Sequence, residues 1–225
     1  MKPKQILRLS VDIGMCLLCL MQAGYHLFRN VTHEQLGAVM FMLFLVHHFL
    51  NIGWYKSIFR RRYSAQRVFH VWLNLLLTLA MLGMLVSAMI ISMRVFAFLG
   101  FRTSFFGRKL HMLSTSWGFV LMSMHVGIHA QNMVTRIQRC LMGRHCPNTI
   151  RILFFVVCAW GVKVFIDRAV WQNLFATIDY AFFDFNEQAW CYFVDSLAMM
   201  MMWAAVAYYV RKMLTDRKGV ACGTL

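Results

Sequence analysis

The sequence predicts an all-α fold, a polytopic membrane bundle of about six transmembrane helices forming one domain over residues 1–225. Three observations predict it. Hydrophobic residues make up 60% of the chain and charged residues 14%, at a mean hydropathy of +0.60, which leaves too little polar surface for a soluble domain of 225 residues. The apolar residues gather into six runs separated by basic punctuation. Two of those runs each carry a pair of histidines fourteen residues apart. There are only 2 prolines and no Pro/Ser-rich stretch, so no linker divides the chain.

The first run covers residues 9–29. Its basic start, from Met1 to Arg8, is like that of a signal peptide, but Asp12 interrupts the apolar run and no small-residue cleavage site follows. A retained first helix is expected. The second and third runs, 34–55 and 69–95, are long enough to span a bilayer, as is the fourth, 110–134. The fifth, 151–169, is interrupted by Lys163, Asp167 and Arg168, and the sixth covers 189–210. Between them, Trp171, Phe175, Ile178, Phe182 and Phe185 recur at helical spacing opposite Asp179 and Asp184, which predicts an interfacial helix on the outer surface or the outer end of a longer fifth helix. Trp54, Tyr55, Trp190, Tyr208 and Tyr209 lie near run ends, as an interfacial aromatic belt requires.

Charge sets the expected orientation. Sixteen of the 23 basic residues fall on one side of the alternating runs, among them Lys4, Arg8, Arg60, Arg61, Arg62, Arg67, Arg136 and Arg211; five fall on the other, namely Arg29, Arg94, Arg102, Arg108 and Lys109. The positive-inside rule then puts both termini of this multi-pass chain in the cytoplasm. The net charge of +15 is accounted for by topology and by contact with anionic lipid, and no nucleic-acid partner is expected. Of the 7 cysteines, Cys16 and Cys19 form a C-x-x-C inside an apolar run, where they read as small core residues. Cys140, His145 and Cys146 form a weak metal or redox candidate in a basic loop.

The histidines carry the chemistry. His33 and His47 are on the second run, His111 and His125 on the fourth. Fourteen residues is close to four turns, so each pair shares one helix face with its members about 21 Å apart along the axis. In an up-and-down bundle these two runs are parallel. His33 then meets His111 near the outer surface, and His47 meets His125 near the cytoplasm. Imidazole is costly inside a bilayer without a role. Two level-matched pairs imply a cytochrome-b-like core, with two haems b stacked across the membrane and each iron held by one histidine from each helix. Gly37 and Gly118 lie on the ligand faces, where a missing side chain lets a flat macrocycle approach, and Met40 and Phe44 suit an apolar wall. Ser114 and Thr115 are candidates to hydrogen-bond a propionate or a ligand imidazole. His48 and His129 are alternate ligands, and His26 and His70 are more distant replacements. No catalytic residue is assigned.

Several stretches carry a family resemblance. They are His33-Glu34-Gln35-Leu36-Gly37, His47-His48-Phe49-Leu50-Asn51, Trp54-Tyr55-Lys56, Arg94 to Leu99, His111-Met112-Leu113, Trp117 to Ser123 with His125 and His129, Phe182 to Phe185, and Tyr208-Tyr209. With these the chain resembles the bacterial flavinylation-associated cytochromes over nearly its whole length. The resemblance implies a di-haem b-type cytochrome that passes electrons across the cytoplasmic membrane. The donor it implies is a quinol or a cytoplasmic-side reductase, with a quinone as a further bound candidate. The acceptor is an extracytoplasmic protein carrying covalent FMN. Gln35 stands where the family usually has Trp, and His70 is an addition to its pattern. The chain has neither a Gly-rich nucleotide loop nor a flavinylation motif of its own. Two other classes stay open: a ferric-reductase-like membrane oxidoreductase, and a non-redox metal transporter or assembly protein. Metal transport calls for carboxylates beside the histidines. Asp12 and Asp195 are the clear intramembrane acids, and neither pairs evidently with the ligand face in sequence.

Overall fold

The computed structural model describes residues 3–28, 30–58, 64–141, 148–179 and 186–221, with side chains placed up to 129, from 150, and up to 215 in the last three spans. Among the described residues eight α-helices follow one another: α1 (Pro3–Ala23), α2 (Asn30–Leu50), α3 (Ile52–Ile58), α4 (Ala65–Ile91), α5 (Phe105–Leu141), α6 (Asn148–Asp167), α7 (Val170–Leu174) and α8 (Ala189–Ala221). There is no strand among the described residues. The all-α expectation is met.

Three of these helices are long and apolar enough to cross a membrane: Pro3–Ala23, Ala65–Ile91 and the Ala189–Thr215 part of α8. α2 and α3 together make a fourth, bent by 56° at Asn51. Asn51 marks the bend chemically, because its side-chain Nδ2 donates to the carbonyl of His47 and so competes with the backbone ladder. Except for α8, which starts where its run does, the long helices begin a few residues before the apolar runs. Lys, Arg and Gln are good helix formers, so the first turn extends into the polar flank, which hydropathy does not register. α4 shows this best: Ser64 accepts from the backbone N–H of Arg67 as N-cap, well ahead of the first apolar stretch.

α5 is central. It packs along α4 on one side and α8 on the other, α8 packs in turn on α6, and α1 pairs with α2. Two glycines set the closest approaches. A Cβ on Gly127 of α5 would lie 2.1 Å from the carbonyl oxygen of Ala204 on α8, and one on Gly161 of α6 would lie 2.4 Å from the carbonyl oxygen of Ala198. Such backbone-to-backbone contact is the packing available to helices that gain nothing from burying apolar surface away from lipid. The interior is rich in methionine: Met15, Met40, Met81, Met122 and Met200 join Phe44, Leu73, Leu77 and Leu121 in one cluster. Large apolar side chains face outward along α4 and α6, including Trp72, Leu79, Ile152, Leu153 and Phe155. That is the pattern of lipid-facing surface.

The outer interfacial helix expected over 171–187 is shorter than its periodicity suggests. α7 stops at Leu174, and Ala176 turns into the left-handed region at φ 51°. The Trp117 indole on α5 donates to the carbonyl of Leu174 at 2.9 Å, so a side chain takes the acceptor a continued helix would have used. Phe182, Asp184 and Phe185 lie outside the described residues, as do Arg29, the Arg60–Arg62 run, His145 and Cys146; the Cys140 side chain lies there too.

Candidate paired-histidine sites

α2 and α5 run in the same direction and their backbones share no extensive contact. Their imidazoles reach across that gap in two places. The ring centroids of His33 and His111 are 6.2 Å apart with planes at 76°, and those of His47 and His125 are 6.5 Å apart with planes at 74°. The two sites have nearly the same geometry. A metal–nitrogen bond of about 2 Å on each side, plus about 1.1 Å from each nitrogen to its ring centre, puts the centroids of two axial imidazoles about 6.2 Å apart. The centroid separations of both pairs match that spacing.

Each ring is also held from behind. His111 Nδ1 lies 3.0 Å from Ser87 Oγ on α4. The Ser87 hydroxyl donates to the carbonyl of Met84 at 2.9 Å, so its oxygen accepts from His111 Nδ1–H. His125 Nδ1 is 2.9 Å from Asn74 Oδ1, also on α4. His47 Nδ1 is 2.8 Å from Asp12 Oδ1 on α1. A hydroxyl whose proton is committed, an amide oxygen and a carboxylate all accept, which places the ring proton on Nδ1 and leaves the lone pair on Nε2. Gln22 on α1 differs: its side-chain nitrogen donates to His33 Nδ1 at 3.0 Å and to the His33 carbonyl at 3.2 Å, and its oxygen accepts from the Gly37 N–H at 2.8 Å, so it orients the His33 ring without placing the proton on Nδ1. The acceptors behind His47, His111 and His125 are the outer contacts that metal-ligating histidines use to fix tautomer and orientation.

None of the four orienting residues was singled out for that role in the sequence, and Asp12, expected to stand apart from the ligand face, is in contact with it. Ser114 does not reach an imidazole; it fits against Gly83, whose Cβ would fall 2.5 Å from the Ser114 hydroxyl oxygen. The Thr115 hydroxyl donates to Met112 of its own helix. Gly37 and Gly118 do allow close approach, but the neighbours present are the Gln22 amide, 2.9 Å from a Gly37 Cβ, and the Met84 methyl, 2.8 Å from a Gly118 Cβ. Gly37 thus makes room for the side chain that backs His33.

The alternate histidines are placed differently. His48 turns back on its own helix, with Nδ1 2.8 Å from the Phe44 carbonyl and the ring 4.1 Å from that of Phe44. The His129 ring lies 4.7 Å from that of His125, tilted by 56° to it, and His129 is exposed. Arg211 of α8 bonds the carbonyl of Ile128 and the Gln66 side chain beside it. His70 lies near Arg211 and His129.

Comparison with protein-family models, with curated proteins and with solved structures finds no match.

A second cluster lies at the other end of the bundle, where α6, α8 and the residues before α8 meet. Arg168 joins Glu187 and Asp195, Trp160 Nε1 donates to Asp195 Oδ1 at 2.9 Å, and His26 Nε2 is 3.7 Å from Glu187 Oε2. The Arg168 guanidinium also stands 5.4 Å over the Tyr192 ring. Its hydrogen bonds to Glu187, and then to Asp195, raise its already high pKa further, so it stays charged. Both Asp195 oxygens are engaged, by Trp160 and by Arg168. Glu34, next to His33, works as a clasp: its carboxylate accepts from Ser92 Oγ and from the backbone N–H groups of Met93, Arg94 and Val95 at 2.7–3.1 Å. It fixes the α4–α5 turn against the start of α2.

Proposed function

We propose that this chain is a transmembrane electron carrier of the cytochrome-b type, holding an outer haem b between His33 and His111 and an inner haem b between His47 and His125. The observation that carries the reading is the pair of matched ring separations, 6.2 and 6.5 Å, each across the α2–α5 gap. The acceptors on Nδ1 of His47, His111 and His125 support it, as does the apolar wall of Met40, Phe44 and Leu121. The haems would supply one-electron chemistry at two depths. His33, His47, His111 and His125 bind, and Gln22, Asp12, Ser87 and Asn74 hold their rings. Gly37 and Gly118 serve by letting Gln22 and Met84 pack closely.

This reading takes the bundle as six membrane crossings, formed by α1, α2 with α3, α4, α5, α6 and α8, with both termini on the cytoplasmic side. The outward apolar faces of α4 and α6 and the distribution of Lys and Arg support that arrangement. Through its resemblance to the flavinylation-associated cytochromes, the chain takes electrons from a quinol or a cytoplasmic-side reductase and gives them to an extracytoplasmic protein carrying FMN. For the metal-transport reading, Asp12 does supply a carboxylate beside His47, but among the described residues no group of three or more His, Cys, Asp and Glu side chains is placed to hold a metal ion.

The test is the optical spectrum of the detergent-purified protein, oxidised and dithionite-reduced, with a pyridine haemochrome count. Two b-type haems per chain are expected, falling to about one in His125→Ala and in His33→Ala and staying at two in His48→Ala. A colourless protein from cells that make other cytochromes would overturn the reading.

A further inference from the structure

The two sites differ in the charge behind their ligands. The outer pair is backed by neutral groups, the Gln22 amide and the Ser87 hydroxyl. The inner pair is backed by one neutral group, the Asn74 amide, and one acid, Asp12. An acid accepting from imidazole Nδ1–H at 2.8 Å makes the ring a stronger electron donor through Nε2. It also adds negative charge beside the metal. Both effects favour the higher oxidation state of a bound iron.

We infer that Asp12 makes the inner site the harder of the two to reduce, so that an electron shared between the sites rests on the outer one. This inference rests on the di-haem reading above and adds to it a direction, from the cytoplasmic side outward.

The other charges nearby do not reverse it. Glu34 is beside His33 and its field acts on that ring, but its carboxylate accepts from Ser92 and three backbone N–H groups of the α4–α5 turn and bonds neither ligand of the outer pair. Arg211 is the nearby cation on the inner side. It bonds the Ile128 carbonyl and Gln66, and its field acts on His70 and His129. Neither ligand of the inner pair bonds it. Arg8 of α1 is committed to the Leu50 carbonyl at 2.5 Å. Asp12 alone combines a charge with a direct hydrogen bond to a ligand.

The experiment is spectroelectrochemical titration of single-site variants. His33→Ala retains the inner site and His125→Ala the outer. The inner midpoint is expected to be lower by at least tenfold in the electron-sharing equilibrium, about 59 mV for one electron. Asp12→Asn in the otherwise native protein should raise the lower midpoint by a similar factor and leave the upper one in place, while Asp12→Glu restores the gap. An inner midpoint equal to or above the outer one overturns the inference, as does an Asp12→Asn protein with both haems and unmoved midpoints. If Asp12→Asn does not retain the inner haem, the comparison of His33→Ala with His125→Ala still decides. Absence of haem from the native protein is a separate result: it removes the di-haem reading itself.

Discussion

Replacing Gly127 by alanine should separate α5 from α8. The added methyl carbon would lie 2.1 Å from the Ala204 carbonyl oxygen, 2.6 Å from its Cα and 2.7 Å from its carbonyl carbon, where ordinary contact begins at 3.4 Å. All three atoms are backbone, so no side chain can rotate away, and the helices must part by about 1 Å. Overpacking of this kind costs about 1–3 kcal/mol, which for a chain of this length lowers the apparent unfolding temperature by about 3–10 °C. The assay is thermal unfolding in detergent, followed by intrinsic fluorescence, across four glycine-to-alanine variants. Gly161→Ala meets the Ala198 carbonyl oxygen at 2.4 Å and should resemble Gly127→Ala. Gly118→Ala meets only the end of Met84, at 2.8 Å, and should cost under about 1 kcal/mol because methionine repacks. Gly53→Ala meets nothing within 4 Å in helix α3 and should gain up to about 1 kcal/mol from helix propensity. If Gly127→Ala unfolds at the same temperature as Gly53→Ala, the claimed backbone contact between α5 and α8 does not exist.

Other perturbations address the sites and their surroundings. Asn74→Leu removes the acceptor behind His125 at similar volume; on the proposed di-haem reading the haem between His47 and His125 should be lost or bound at least tenfold more weakly, read as a fall of the haemochrome count toward one, with the His33–His111 site intact. Glu34→Ala leaves three backbone N–H groups of the α4–α5 turn without their acceptor, so amide hydrogen exchange at Met93, Arg94 and Val95 should accelerate at least tenfold, while Glu34→Asp gives an intermediate rate. Arg168→Met abandons Glu187 and Asp195, which are only 15% and 19% exposed, and should cost about 1–3 kcal/mol by the same unfolding assay. Doing the same to Lys163, whose ion pair with Asp167 is mostly exposed, should change stability little.

Much of the helical plan was legible because apolar length and histidine spacing are properties of a single segment. His33, His47, His111 and His125 recur at a period that places them on one stripe, and the structure brings them into the two pairs that this period implies. The residues behind them were not legible in the same way, because each lies on a different helix from the ring it orients. A signal was nonetheless present. Asp12, Gln22, Asn74 and Ser87 are polar residues inside otherwise apolar helices. In an antiparallel hairpin, residues at one level have a nearly constant sum of sequence positions, and Asn74 with His125 meets the same sum, within one residue, as Ser87 with His111. Helical periodicity was a poorer guide over 171–187. There the stop depends on an indole from α5 reaching the Leu174 carbonyl, which the local sequence does not encode.

The distribution of the ring partners also bears on biogenesis. Gln22 and Asp12 belong to the hairpin of α1 and α2 that carries His33 and His47, while Asn74 and Ser87 belong to the hairpin of α4 and α5 that carries His111 and His125. Each hairpin can therefore aim its own imidazoles as it enters the bilayer, before the other has been synthesised. Neither can complete a six-coordinate iron alone. On the proposed reading, cofactor capture waits until both halves are inserted and side by side. Colour in a nascent chain would then report finished assembly, and a chain halted after the first hairpin would remain haem-free and open to disposal.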